Sequence, residues 1–139
     1  LEADGLVAAL RELAEGLEAT HGQPCEFRGP RKPPPLDEAA ATHLYRIAQE
    51  ALTNAARHAG ASRVKLTLAR DAEAVTLRVS DDGGGLPDDL SGSTGMGLRA
   101  MQYRASALGG VLRIRSRKDR GTTVTCIVPA PAAEEGAGP

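Results

Sequence analysis

The sequence predicts an α+β fold, a two-layer sandwich in which a mixed sheet of about five strands carries about three helices on one face. Three observations predict it. Leu6, Leu10, Leu13 and Leu17 recur at helical spacing, and a longer stretch of the same period ends near His58. Val64 to Ala69 and Val75 to Ser80 alternate strictly between apolar and polar residues, as half-buried strands do, and Val111 to Arg117 and Thr122 to Val128 form a second strand pair. Helices stand between the strand pairs, which suits hairpins covered on one side.

The elements follow in order. The first helix packs on a core rather than in a coiled coil, because its leucine pattern stops just before Gly22. Gln23 to Arg28 is a short strand, and Gly29 to Pro35, with four prolines, is a connector that cannot be helical. Pro35, Leu36 and Asp37 open the longest helix, whose apolar stripe is Leu44, Ile47, Ala48, Ala51, Leu52 and Ala55. Arg70 to Glu73 is short enough to close an antiparallel hairpin. Asp81 to Gly97 is seventeen residues of polar, glycine-rich sequence without a period, and so long a loop in a compact domain is usually functional. Leu98, Met101, Ala105 and Leu108 make a last helix, ended by Gly109-Gly110. The stretch from 130 to 139 is a disordered tail by composition.

Composition excludes several classes. The chain has 139 residues, room for one domain, and is 41% hydrophobic and 25% charged. A net charge of -1 argues against coating nucleic acid, and no apolar run is long enough to span or anchor in a membrane. With Phe27, Tyr45 and Tyr103 the only aromatics, the core must be aliphatic. Cys25 and Cys126 are far apart in sequence, in neither a C-x-x-C pair nor a zinc pattern, and read as buried thiols in a reducing cytoplasm. Leu1 is not Met, so the chain reads as part of a longer protein.

Three stretches carry chemistry. At ~100° per residue, Glu50, Asn54 and His58 fall on one line ~50–130° to one side of the apolar stripe, with Arg57 extending it toward solvent. Polar groups on the flank of a core-facing helix line a groove. Asn offers a neutral oxygen to a hard cation, Glu a base, Arg and His positive charge for phosphate. Asp81, at a strand end before Gly83, Gly84 and Gly85, is suited to accept a hydrogen bond from an amine of a flat ligand lying on bare backbone. Gly95-Met96-Gly97-Leu98 at a helix start offers free N–H groups to an anion. The same string resembles a dinucleotide fingerprint, but Pro87 to Thr94 before it is no strand, so that reading fails. No Gly-Lys-Ser or Gly-Lys-Thr exists to make a P-loop. Gly121-Thr122 is a third small-residue corner.

Taken together these motifs resemble the GHKL ATPases, the Bergerat-fold group that includes gyrase, MutL and the sensor histidine kinases. Glu50-x-x-x-Asn54-x-x-Arg57-His58 is similar to their N box, Asp81-x-Gly83-x-Gly85 to their first glycine box, and Gly95-x-Gly97-Leu98 to their second. The wording from Leu44 to Ala59, and Met101, Arg104 and Leu108-Gly109-Gly110, is similar to the kinase subfamily whose response regulators carry a helix-turn-helix output domain. The resemblance runs from about Leu6 to Pro129 and implies a Bergerat-fold catalytic domain over residues 1–129.

It further implies ATP and Mg²⁺ as cofactors. Asn54 would bind the metal, and Asp81 the adenine amino group, with Gly83 and Gly85 letting the ring approach. Gly95, Gly97 and the Leu98 N–H would contact phosphate, with Arg57 and His58 adding charge. Thr122 belongs to the closing glycine motif, Glu50 matches the residue that activates water in ATPase relatives, and Leu86 to Thr94 would be a short ATP lid. The implied activity is transfer of the γ-phosphoryl group to a histidine. That acceptor lies on a dimerisation domain upstream, since His21, His43 and His58 all lack the acidic residue that follows the acceptor in this subfamily. The partners implied are that domain, in a homodimeric parent, and a response regulator receiver domain. The domain itself would be cytoplasmic, in a parent whose relatives are mostly membrane-anchored. A serine kinase of the anti-sigma-factor type shares the fold and is the alternative; a non-enzymatic nucleotide sensor is a weaker one.

Overall fold

A computed structural model describes residues 5–32, 34, 36–58, 63–83, 93–117 and 120–130. The elements are α1 (Leu6–His21), β1 (Cys25–Arg28), α2 (Glu38–His58), β2 (Val64–Arg70), β3 (Ala74–Asp81), α3 (Ser93–Ala107), β4 (Val111–Arg117) and β5 (Gly121–Pro129). The strand order is β1-β2-β3-β5-β4. Strands β1 and β2 are parallel, with α2 as the crossover between them, and every other pairing is antiparallel. The expected α+β sandwich is what forms.

Alternation in the strands decides which face the helices cover. Val64, Leu66 and Leu68 of β2, Val75, Leu77 and Val79 of β3, and Val124, Cys126 and Val128 of β5 are all buried. They pack against Leu6, Leu10 and Leu17 of α1, Leu44, Ile47 and Leu52 of α2, and Met101 and Ala105 of α3. No aromatic side chain belongs to the fully buried set; Phe27 packs at its margin, where the Arg11 guanidinium stands 5.3 Å from the ring centroid. Both cysteines are free, and burial pushes each thiol up to about 11, so neither is a thiolate at neutral pH.

Local chemistry sets the helix limits. Gly22 takes a left-handed φ of 65° and donates its N–H to Glu18 O at 2.9 Å, closing α1. Asp37 caps α2, its Oδ1 accepting the Ala40 N–H at 2.8 Å. Three boundaries differ from expectation. Helix α3 begins at Ser93, so Gly95 and Gly97 lie inside it: a helix tolerates glycine where tertiary contacts hold the turn. Gly121, expected to join the last two strands, is itself the first residue of β5. Ala130, expected to start the tail, donates its N–H to Glu73 O at 2.8 Å. Gly85, most of the expected lid (residues 86–92) and residues 131–139 lie outside the described residues.

Candidate functional site

Helix α2 carries the polar flank. Asn54 is only 6% exposed, and its Oδ1 is buried with no hydrogen-bond partner among the described residues. Leaving a buried acceptor unmade costs about 1–3 kcal/mol, which makes this oxygen a candidate ligand atom. Glu50, one helical turn earlier and half-buried, lies against α3. An added Cβ on Gly97 would come within 2.8 Å of Glu50 Cδ and closer still to the carboxylate oxygen. The glycine is what allows α3 to approach α2 with an acid between them. A second tie joins the same helices, Arg104 Nη1 lying 3.2 Å from His43 Nδ1. Arg57 is exposed at the C-terminal end of α2. The His58 side chain lies outside the described residues.

Asp81 ends β3 on the helix-covered face, in phase with Val79. Its Oδ1 accepts the Gly83 N–H at 2.9 Å. Burial pushes its carboxyl above the ordinary carboxylate value; hydrogen bonds from the backbone N–H groups of Gly83 and Thr122 oppose this, and the neighbouring Asp82 charge adds to it. Thr122 is buried, its hydroxyl 3.4 Å from Ser116 Oγ. Gly121 has a φ of 97°, and a Cβ there would stand 2.8 Å from the Asp81 carbonyl carbon and 3.0 Å from Asp82 Cα. The Gly121-Thr122 corner therefore holds the adjacent strand against the Asp81 backbone. Asp82 is also engaged, its Oδ1 accepting the Arg63 N–H at 3.0 Å.

Topology brings these groups to one end of the sheet. Asp81 pairs with Val64, the first residue of β2, which follows α2 after a short connection; Gly121 and Thr122 begin β5 beside it. Helix α2 packs on both β3 and α3. One expectation changes. With α3 starting at Ser93, Gly97 and Leu98 lie beyond its first turn, where backbone N–H groups are donated within the helix. Only first-turn N–H groups, Gly95 among them, are left for an anion. No cluster of three or more His, Cys, Asp or Glu capable of holding a metal occurs among the described residues. A cavity of about 700 Å³ between α1 and α2 includes none of these site residues.

The profile of the family described as histidine kinase-, DNA gyrase B- and HSP90-like ATPases matches residues 39–132. The chain belongs to this ATPase family. Curated relatives narrow the class. The chain is 39% identical to the sensor histidine kinase MctS of Rhizobium johnstonii, over 92% of its own length and 28% of that protein's. It is 35% identical to the sensor histidine kinase LiaS of Bacillus subtilis, over 98% of this chain and 37% of that one. It is 38% identical to the nitrate/nitrite sensor protein NarX of Escherichia coli, over 86% of this chain and 20% of that one. The histidine kinase domain of the blue-light activated kinase from Erythrobacter litoralis superimposes with a TM-score of 0.75 at 23% identity, covering 95% of this chain and 63% of that one. Acinetobacter baumannii AdeS gives 0.73 at 17% identity, covering 94% and 66%. These ATPase-family matches make the chain the ATP-binding catalytic domain of a sensor histidine kinase, and the chain spans well under half of each of these curated relatives. No helix among the described residues is long and apolar enough to cross a membrane.

Proposed function

We propose that this domain binds ATP with Mg²⁺ and presents the γ-phosphoryl group to a histidine on a separate helical domain of a homodimeric parent, for onward transfer to a response regulator with a helix-turn-helix output domain. The observation that carries the reading is the orphaned Oδ1 of Asn54, buried on the helix that faces α3. A lone neutral oxygen fits Mg²⁺, which keeps most of its waters and takes its remaining ligands from phosphate rather than from a protein cage. When bound, the metal would neutralise phosphate charge.

The chain's own residues divide the remaining work. Asp81 accepts a hydrogen bond from the adenine amino group, held in place by the Gly83 and Thr122 N–H groups, while Gly83 and Gly85 leave room for the ring. The first turn of α3, through Gly95, cradles phosphate, and Arg57 and His58 add positive charge. Gly97 serves the site by its small size, letting Glu50 stand between α2 and α3. Glu50 then orients the attacking group, and phosphoryl transfer asks for little beyond such positioning and charge neutralisation. Residues 1–129 form this domain, and the acceptor histidine belongs to another part of the parent. The relatives named as sensor histidine kinases support a histidine acceptor over a serine one.

Titration calorimetry with ADP and Mg²⁺ tests the reading. Binding should weaken on chelation and in Asn54→Ala, and ADP should be preferred to GDP by a margin that Asp81→Asn erases. A folded domain that releases no heat with ADP, or that binds equally well without metal, overturns it.

A further inference from the structure

The sheet face turned away from the helices carries a charge pattern that the nucleotide site does not use. Register places Arg78 of β3, Thr125 of β5 and Arg113 of β4 side by side in one row. The next row is Glu26 of β1, Lys65 of β2, Ser80 of β3, Thr123 of β5 and Arg115 of β4. Cations and hydroxyls thus share one face across four strands, a span of roughly 14 Å at strand spacing. Arg78, Arg113 and Arg115, with these hydroxyls and Ile127, line a shallow depression of about 410 Å³. Arg78 Nε is held by Thr125 Oγ1 at 3.3 Å.

The carboxylates bordering this face are already engaged. Glu26 binds Arg28 at 2.6 Å, and Asp82 accepts the Arg63 N–H. Among the described residues, no carboxylate lies within ion-pair distance of Lys65, Arg78, Arg113 or Arg115. Arginine on an edge strand is a common guard against unwanted pairing, which accounts for β4. It does not account for Arg78 and Lys65, which stand on interior strands. Among the described residues Arg78, Arg113 and Arg115 therefore sit together without an ion pair, with Lys65 beside the Glu26 already paired to Arg28, in a chain whose net charge is -1.

We propose that this open sheet face is a docking surface for a protein partner presenting a cluster of carboxylates. Three of the four cations are arginines, whose planar fork matches carboxylate pairs, and the hydroxyls between them supply further donors. Complementary charge gives such a surface its specificity and association rate. A single-stranded nucleic acid would want aromatic platforms for its bases, and the face has none. A membrane surface would want apolar side chains interleaved with the cations, whereas here Ile127 and the exposed Val111 stand in a separate row next to the arginines. The face lies opposite the helix-covered side that carries Asp81, so a docked partner leaves the nucleotide cleft open.

The test is fluorescence anisotropy of the folded domain with a labelled oligo-glutamate peptide, a DNA duplex and phosphatidylserine vesicles as separate probes. The peptide should bind, more weakly at higher salt. The double variant Arg78→Glu/Arg113→Glu should weaken it by at least about tenfold. Arg78→Lys/Arg113→Lys should retain most of the affinity, and Arg46→Glu, on the far side of the molecule, should change it less than about twofold. ADP binding and the melting temperature of each variant should match the wild type, which separates loss of this surface from loss of the fold or of the nucleotide site. Equal loss in Arg46→Glu, no binding of the peptide, or tighter and equally Arg78/Arg113-dependent binding of duplex or vesicles would each overturn the proposal.

Discussion

Replacing Asn54 with leucine should move stability in opposite directions depending on ligand. In the empty domain, Oδ1 of Asn54 is buried without a partner among the described residues, a situation that costs about 1–3 kcal/mol. Leucine is close in volume, removes the orphan and adds apolar burial beside Ala51 and Ala55, so a net gain of about 1 kcal/mol is expected. For a domain of this size that raises the melting temperature by roughly 3–5 °C. Ligand reverses the order. At Mg–ADP near 100 times its dissociation constant, the wild type should gain about 2.7 kcal/mol, or roughly 8–13 °C, by mass action. The variant, lacking the oxygen proposed to hold the metal, should gain little. Thermal melts of both proteins with ADP, with and without Mg²⁺, make the comparison in one experiment. If Asn54→Leu lowers the melting temperature of the empty domain, or keeps the full magnesium-dependent rise, Asn54 is a structural residue and the argument is wrong.

Further outcomes follow from the same geometry. Asp81→Asn should weaken nucleotide binding by about 1.5–3 kcal/mol, the loss of a charged hydrogen bond, with ADP affinity read by calorimetry. Because the folded carboxyl titrates above its unfolded value, the folded domain holds this proton longer, and ionising Asp81 lowers stability as pH rises through the interval between the two values. Asp81→Asn should therefore flatten that part of the urea stability profile, and an unchanged profile would dismiss the assignment. Gly121→Ala must accept a φ of 97° and place a Cβ against the Asp81 and Asp82 backbone, so a loss of at least about 3 kcal/mol in urea denaturation is expected. Gly97→Ala meets only the end of the Glu50 side chain, so the fold should survive while Glu50 is displaced and nucleotide affinity falls. Glu50→Ala in the same chain should relieve much of that clash, a coupling that a double-mutant cycle measures.

Periodicity made the layers legible because one side of each element faces a core: the stripe from Leu44 to Ala55 is buried as its spacing requires. The start of α3 was legible only to within a turn: Gly95 and Gly97 read as its opening residues, yet the helix begins at Ser93, and Glu50, far away in sequence, occupies the space a side chain at Gly97 would fill. Gly121 was hidden for the same reason. Its requirement comes from the Asp81 backbone on a neighbouring strand, and no local pattern records a contact made across a sheet. The burial of Asn54, by contrast, was half legible: helical phase placed it on a groove flank, but only packing shows that its oxygen has no partner among the described residues.

The two polar groups assigned to ligand share a thermodynamic character. The ligand-free domain bears a carbonyl oxygen at Asn54 without a partner among the described residues and a partly desolvated carboxylate at Asp81. Each lowers the stability of the ligand-free fold, and each is relieved only by something that brings a cation or a hydrogen-bond donor. Neither is compensated by the other: they stand on different elements, and what joins them is the glycine-permitted approach of α3 to Glu50 and of Gly121 to Asp81. A domain built this way couples its own stability to nucleotide. The coupling would disappear if these positions were filled with well-packed apolar residues, and the fold would be more stable and inert.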